Sequence, residues 1–338
     1  MKYSGLILVF LIVAFITSCY QEDTQAVQAS AFAQVSGPYL GQDPPGMTPE
    51  LFAPGIVSTG HDERCAAFSA DGRELYYCLW GLPHGVILHT REVDGRWTKP
   101  VVATFSGGYP GEVSVSPRDG AIYFSSKMPF DQSPLSNAYW IWKVERTKDG
   151  FEMAEPLNAA VNSENFAGYP YVARSGDIYF FSDRSDGFGG NDIYFAEFSD
   201  GRYAKAKNIG AAINTELPEV DPCIAPDGSY LIFSRWDGVQ FTTMDLYISF
   251  RTEDGSWTTA VNMGTTVNSD EPDFCPSISA DGKYLFFTSR RTREFSKTAT
   301  PITYAEKIKI LNSPGNGTTD IYWIDAKIID ELKTKTIK

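Results

Sequence analysis

Short apolar runs recur along the chain, each meeting a small polar turn and resuming as an aromatic-rich run. Five copies occur, at residues 67–77, 115–124, 172–180, 224–233 and 278–287. The turn glycines Gly72, Gly120, Gly176, Gly228 and Gly282 are spaced 48 to 56 residues apart. Asp-Gly or an equivalent Gly turn between alternating runs predicts a hairpin, because glycine supplies the positive φ of a tight turn between twisted strands. A period this long predicts a propeller or a solenoid.

Each period carries more than its hairpin. Asp192-Ile193-Tyr194-Phe195, Asp245-Leu246-Tyr247-Ile248 and Asp320-Ile321-Tyr322-Trp323 predict a third strand, with weaker versions at 139–142 and 85–88. Turns at Asp94-Gly95, Asp200-Gly201 and Asp254-Gly255 lead to a fourth run. The stretches 157–163, 209–215 and 263–269 repeat an Asn-containing connection to the next unit. Four short strands per period match a propeller blade, so the expected fold is all-β.

The last copy supplies strands near 274–280, 284–290 and 320–325 and then a run, 326–333, that reads as a short helical tail. One strand is missing there, and residues 49–58 resemble the fourth-strand segment 97–104. The N-terminal strand is therefore expected to complete the last blade, closing five blades and removing free sheet edges. A sixth, degenerate blade is the alternative. Its only hiding place is 291–319, which lacks an Asp-Gly hairpin and reads as an insertion between the second and third strands. The expected organisation is a signal peptide over 1–18, a flexible tether over 19–48, a propeller over 49–325 and a tail over 326–338.

The start of the chain has Lys2, an apolar run from Leu6 to Ile16, and Thr17-Ser18-Cys19. That layout fits a secretory signal and is too short to span a bilayer comfortably. Its ending resembles a bacterial lipobox, which implies that Cys19 becomes a lipid-modified membrane anchor. Glu22-Asp23 behind it resembles the surface-export signal of some Bacteroidetes lipoproteins; a periplasm-facing outer-membrane lipoprotein is the alternative.

Four further cysteines would then lie in an oxidising compartment. A two-residue Asp71-Gly72 turn sets Cys65 opposite Cys78, where a cross-strand disulfide is expected. Cys223 and Cys275 are expected to be buried thiols. Aromatic residues make up 14% of the chain, which suits bulky cores between stacked sheets, and the net charge of −13 argues against nucleic acid.

Aligned on their turns, the first strands put Glu63, Glu219 and Asp273 at one level and Glu112 and Asp221 two residues deeper. Around a propeller channel these five carboxylates are the candidate catalytic or ion-binding groups. The competing reading pairs them across the hairpins as structural ion pairs, Asp273 with Arg290 and Glu112 with Lys127. The loop bearing Asp183, Asp186 and Asp192 has spaced oxygens that faintly resemble a calcium loop, but it lacks a terminal bidentate Glu. Three scattered histidines give no zinc signature, and no nucleophile elbow, P-loop or dinucleotide fingerprint occurs. No cofactor is expected.

Over residues 50 to 325 the chain resembles the WD40-like, TolB-type propeller repeat. The resemblance rests on Ser-x-Asp-Gly before an aromatic strand, Phe181-Ser182-Asp183-Arg184, Gly190-Asn191-Asp192-Ile193-Tyr194 and Ile213-Asn214-Thr215. It implies a propeller in the cell envelope and no particular reaction. Three functions remain open. The first is an anchored, non-catalytic binder of an envelope protein, peptide or glycan, using the loops 129–138, 185–191 and 291–319. The second is a glycan-active hydrolase using the channel carboxylates. The third is a structural subunit whose tail from Ala326 docks on a partner.

Overall fold

The structure, a computed structural model, describes residues 35–107, 110–127, 139–148, 150–163, 165–236, 243–293 and 301–337. Their strands form five four-stranded antiparallel blades. Blade 1 is built from Asp62–Phe68, Glu74–Trp80, Val86–Val93 and Val101–Val102. Blade 2 uses Pro110–Val115, Ile122–Ser126, Trp140–Val144 and Glu155–Pro156. Blade 3 uses Ala167–Val172, Ile178–Ser182, Asp192–Ala196 and Lys207–Asn208. Blade 4 uses Glu219–Ile224, Tyr230–Trp236, Met244–Phe250 and Val261–Asn262.

Blade 5 joins the two ends of the repeat. Its first three strands are Asp273–Ile278, Tyr284–Ser289 and Asp320–Asp325, and the fourth is the N-terminal Glu50–Leu51. Glu50 pairs with Trp323 and Leu51 with Tyr322, so the expected closure is present. Among the described residues of the 291–319 stretch no further blade strand occurs, and a helix, α1, spans Tyr304–Leu311 between the second and third strands of blade 5. Thr303 and Glu306 form a reciprocal capping box at its start.

The turns explain why the hairpins recur. In Ser69-Ala70-Asp71-Gly72, the Asp71 carboxylate accepts the Arg73 N–H at 3.1 Å and Gly72 adopts φ +68°. Gly72 donates to the Ser69 carbonyl at 2.8 Å, closing the turn. Three of the inter-blade connections use one asparagine each. Asn214 accepts the Ile193 N–H and donates to the Ile193 carbonyl, both at 2.9 Å. Asn162 does the same to Ile141, and Asn268 to Leu246. Each clamp takes up a buried third-strand N–H and adds a second bond to a carbonyl that already accepts the Ile209, Leu157 or Met263 N–H.

Packing at the blade 5/blade 1 seam is aromatic. Phe52 lies 5.1 Å from Phe286 and 5.2 Å from Trp323, edge to face, and all three are buried. Burying one such ring contributes about 2–3 kcal/mol. Tyr39 joins the same cluster at 5.0 Å from Tyr284, and Trp97 Nε1 donates to the Gly37 carbonyl at 2.8 Å. The expected flexible tether to residue 48 is thereby corrected over 35–48: Leu40 is buried and Tyr39 has aromatic partners in two blades. A Gln/Ala/Ser composition upstream obscured the apolar Tyr39-Leu40 pair. The tail forms a helix, α2, at Lys327–Thr336, whose Ile328 and Ile329 are buried in a cluster with Met263 and Tyr322.

Candidate functional site

All five first strands carry a one-residue bulge at the same level. The register slips between Arg64 and Ala67, Gly111 and Val113, Gly168 and Tyr171, Val220 and Cys223, and Phe274 and Ser277. The bulged residues Cys65, Glu112, Tyr169, Asp221 and Cys275 all have positive φ, from +34° to +59°. Such backbone is uncommon for non-glycine residues and persists where surrounding structure holds it. A bulge re-aims side chains, and here two successive residues of a first strand, such as Arg64 and Cys65 or Val220 and Asp221, both reach the channel.

Hydrogen bonds at the level of the five bulges cross three of the seams between blades. The Glu112 carboxylate accepts the Tyr169 N–H at 3.3 Å, and Asp221 accepts the Cys275 N–H at 3.2 Å. Cys65 N–H donates to Thr288 Oγ1 at 3.3 Å. Tyr169 spans the channel and donates its hydroxyl to the Pro276 carbonyl at 2.8 Å, which closes the channel floor.

Above that floor is a cavity of ≈ 520 Å³ on the propeller axis, lined by residues from all five blades. Its walls include Trp80, Trp236, Phe181 and Phe274, and its polar groups include Arg64, Glu112 and Asp221. Arg64 makes a two-point contact with Asp62, 3.0 Å at each nitrogen, while its guanidinium stacks 5.1 Å from Trp80 and 5.3 Å from Phe274. Small residues admit these rings: a Cβ on Gly111 would stand 3.3 Å from Trp80 Cζ2, and one on Gly168 would stand 2.7 Å from the Phe181 ring.

Glu112 and Asp221 have no ion-pair partner among the described residues. Glu112 accepts the Ser125 hydroxyl and Asp221 accepts the Ser234 hydroxyl at 3.1 Å. Burial, and secondarily the charge of Glu112, pushes Asp221 up to about 7. Burial also raises Glu112, against its bonds from Ser125 and Tyr169. Two carboxyls that share one pocket and resist double ionisation can take a proton near neutral pH or hold a donor-rich ligand.

Two residues toward the mouth, Glu219 and Asp273 are engaged differently. Glu219 accepts the Thr215 N–H and hydroxyl at 2.8 and 2.6 Å and Arg235 Nε at 2.8 Å. Asp273 accepts the Ser269 N–H at 2.6 Å and Arg291 at 2.6 Å. The two arginines also donate to the linker carbonyls of Ile213 and Val267. Glu63 caps Thr59 in the same way but faces Leu79, so it lacks a basic partner. Burial first, with Asp320 adding to it, pushes Glu63 up to about 7.

The observed register overturns the hairpin arithmetic. Asp273 stands opposite Ser289 and pairs with Arg291, while Arg290 lines the cavity. Glu112 bonds to Ser125, and Lys127 instead lies 5.0 Å from the Tyr139 ring. Arg64, not Cys65, stands opposite Cys78, and all four cysteines of the propeller are buried thiols. In blades 1 and 5 the slip moves the partner by one position and turns its side chain to the other face, whereas in blade 2 the turn already pairs Val115 with Ile122, which sets Glu112 level with Ser125 and not Lys127. Asp183 accepts the Phe166 N–H, Asp186 the Tyr194 hydroxyl, and Asp192 the N–H groups of Phe188 and Gly189. Those three carboxylates brace a turn, and no acid, His or Cys cluster suited to a metal occurs among the described residues. Cys19 and the 129–138 loop lie outside the described residues.

The signal for the bulges was present. Pro170, Pro222 and Pro276 each follow a bulged residue inside a first strand. Proline lacks the ladder N–H and inside sheets marks an edge or a bulge. Trp80 and Trp236, at the far ends of their second strands, were overlooked because their runs simply looked apolar.

No protein-family model and no curated protein matches the sequence. Solved structures of similar fold include a putative TolB from Agrobacterium tumefaciens, 15% identical over 78% of this chain and 90% of that one, TM-score 0.46. TolB from Acinetobacter baumannii is 14% identical over 79% of this chain and 57% of that one, TM-score 0.44. An α-L-arabinofuranosidase from Lactobacillus brevis is 11% identical over 78% and 90%, TM-score 0.49. At these identities the likeness concerns the fold alone: the chain is a five-bladed β-propeller whose structural neighbours include TolB-type propellers.

Proposed function

We propose that this propeller binds a glycan or peptide of the cell envelope in its axial cavity, held to the membrane through a lipid on Cys19. The observation that carries the reading is the cavity itself. Its ≈ 520 Å³ lies in the range of small-ligand sites, with aromatic walls and a few convergent polar groups. Trp80, Trp236 and Phe274 offer flat apolar faces to sugar rings or side chains. Arg64 offers a cation fixed by Asp62, and Glu112 and Asp221 offer hydrogen-bond acceptors or, when protonated, donors. Asn191 and Thr319, from two of the loops expected to bind, line the same cavity.

Thermal-shift measurements with soluble peptidoglycan fragments, other envelope oligosaccharides and short peptides test this. A stabilising ligand is expected, and Trp80→Ala or Trp236→Ala should weaken it at least tenfold. Absence of any stabilising ligand, or binding indifferent to both changes, contradicts the proposal.

The shared pocket and raised carboxyls of Glu112 and Asp221 favour glycan hydrolysis as a second reading. In that case Glu112→Gln and Asp221→Asn retain binding of an oligosaccharide and abolish its cleavage. The structural-subunit reading draws no support from α2, because Ile328 and Ile329 are spent on the protein's own core.

A further inference from the structure

Cys65 and Cys275 occupy equivalent bulge positions on the first strands of blades 1 and 5, and their Sγ atoms are 3.0 Å apart. That is inside the contact distance of two unbonded sulfur atoms. Around the same ring, the seam between blades 2 and 3 is bridged by Glu112 to the Tyr169 N–H, and the seam between blades 4 and 5 by Asp221 to the Cys275 N–H. At the closing seam the bridging position holds two thiols instead. The chain's two ends meet within blade 5 without a covalent bond, through the pairing of Glu50–Leu51 with Tyr322 and Trp323 and the aromatic packing of Phe52.

We propose that Cys65 and Cys275 are a disulfide-forming pair that covalently locks blade 1 to blade 5 on the inner side of the ring. The sulfurs are already aimed at each other by two left-handed bulges, and the flanking backbone is fixed. Ser277 Oγ donates to the Ala66 carbonyl at 2.5 Å, and Glu63 N–H donates to the Thr319 carbonyl at 3.0 Å. Both thiols line the axial cavity, so a small disulfide oxidant can approach them from the mouth. One thiolate attacks a sulfur of the acceptor disulfide and releases one acceptor thiol. The second cysteine then attacks the mixed disulfide, forming the Cys65–Cys275 bond and releasing the second acceptor thiol. Two electrons pass to the acceptor, and the two cysteine protons leave with its thiols.

Burial pushes Cys275 up to about 12 and raises Cys65 well above the ordinary thiol value. Neither is a standing thiolate nucleophile, so the pair fits a cross-link better than a catalytic cysteine. The link encloses a long stretch of chain, the case in which chain-entropy arguments give large stabilisation. Oxidation in the cell rests on the envelope location proposed above; the geometry does not.

The test maps cysteines one by one in the full chain. Protein treated with oxidised glutathione, or with dithiothreitol, is denatured, alkylated with N-ethylmaleimide, digested and analysed by mass. Oxidation should lower alkylation of Cys65 and Cys275 together by at least tenfold, yield one linked peptide joining them, and leave Cys78 and Cys223 alkylated. The oxidised form should melt roughly 5–15 °C higher. Cys275→Ser should abolish the link and the shift, and Cys78→Ser should preserve both. Full alkylation under both conditions, or a link from Cys65 to Cys78, overturns the proposal. If glutathione forms the link but protein taken from cells carries two free thiols, the pair stands and the envelope location falls.

Discussion

Glu219 and Asp221 sit two residues apart on one strand, yet only Asp221 lines the axial cavity and their surroundings differ in kind. Glu219 is tied to Arg235, to Thr215 and through Arg235 to the preceding linker. Asp221 has a serine, one backbone N–H and a second carboxyl as its neighbours. The same contrast holds between Asp273 and Glu112. Glu219 and Asp273 tie their strands to the preceding linkers through arginines, whereas Glu112 and Asp221 line a cavity and Glu63 bonds to Thr59 with no basic partner among the described residues. Two buried carboxyls with no ion-pair partner among the described residues, set beside aromatic walls, are the arrangement on which the proposed ligand site rests.

The largest effects should fall on the mouth acids. Glu219→Ala or Asp273→Ala leaves an arginine largely buried and unpaired beside unsatisfied backbone, and should cost about 3–5 kcal/mol in urea unfolding. A loss below about 1 kcal/mol would erase the contrast. Next, Asn214→Ala removes the clamp on Ile193 and should cost about 1–3 kcal/mol.

The bulge acids should respond with the opposite sign. A carboxyl whose pKa is higher folded than unfolded binds more protons in the native state. Its favourable contribution is therefore full below about pH 4 and is lost as pH rises through the folded value. With Asp221 on the bulge ring at about 7, and Glu63 and Asp320 off it at about 7 and about 6, the melting temperature should fall between pH 5 and pH 8. Asp221→Asn should flatten that slope, raising stability at pH 8 by about 1–3 kcal/mol with little change at pH 4. A melting temperature that rises across this range contradicts the assignment. The smallest effect is expected for Gly111→Ala. It should cost below about 1 kcal/mol, yet weaken ligand binding by crowding Trp80.

The repeat was legible because hairpin turns and alternating aromatics are local signals. Gly72 and its counterparts count the blades, and the similarity of 49–58 to 97–104 locates the closing strand without any long-range information. The levels of Glu219 and Asp221 also followed from alternation alone. What failed was cross-strand register: the bulges move Asp273 off Arg290 and Cys65 off Cys78, and the turn of blade 2 moves Glu112 off Lys127. A single inserted residue is invisible to a period-2 pattern unless Pro170, Pro222 and Pro276 are taken as breaks in the ladder. The cavity's walls were unreadable for another reason, since the meeting of Arg64 with Phe274 and of Trp80 with Trp236 around one cavity is a property of the closed ring.

The most direct measurement is equilibrium unfolding at pH 8 of two double variants beside the wild type. Glu219→Gln with Asp273→Asn should be destabilised by several kcal/mol, since each arginine loses its counter-charge. Glu112→Gln with Asp221→Asn should be at least as stable as the wild type, because a buried charge is removed and its hydrogen-bond geometry is kept. Equal destabilisation of both would show that the bulge acids are structural and that the two tiers do the same job.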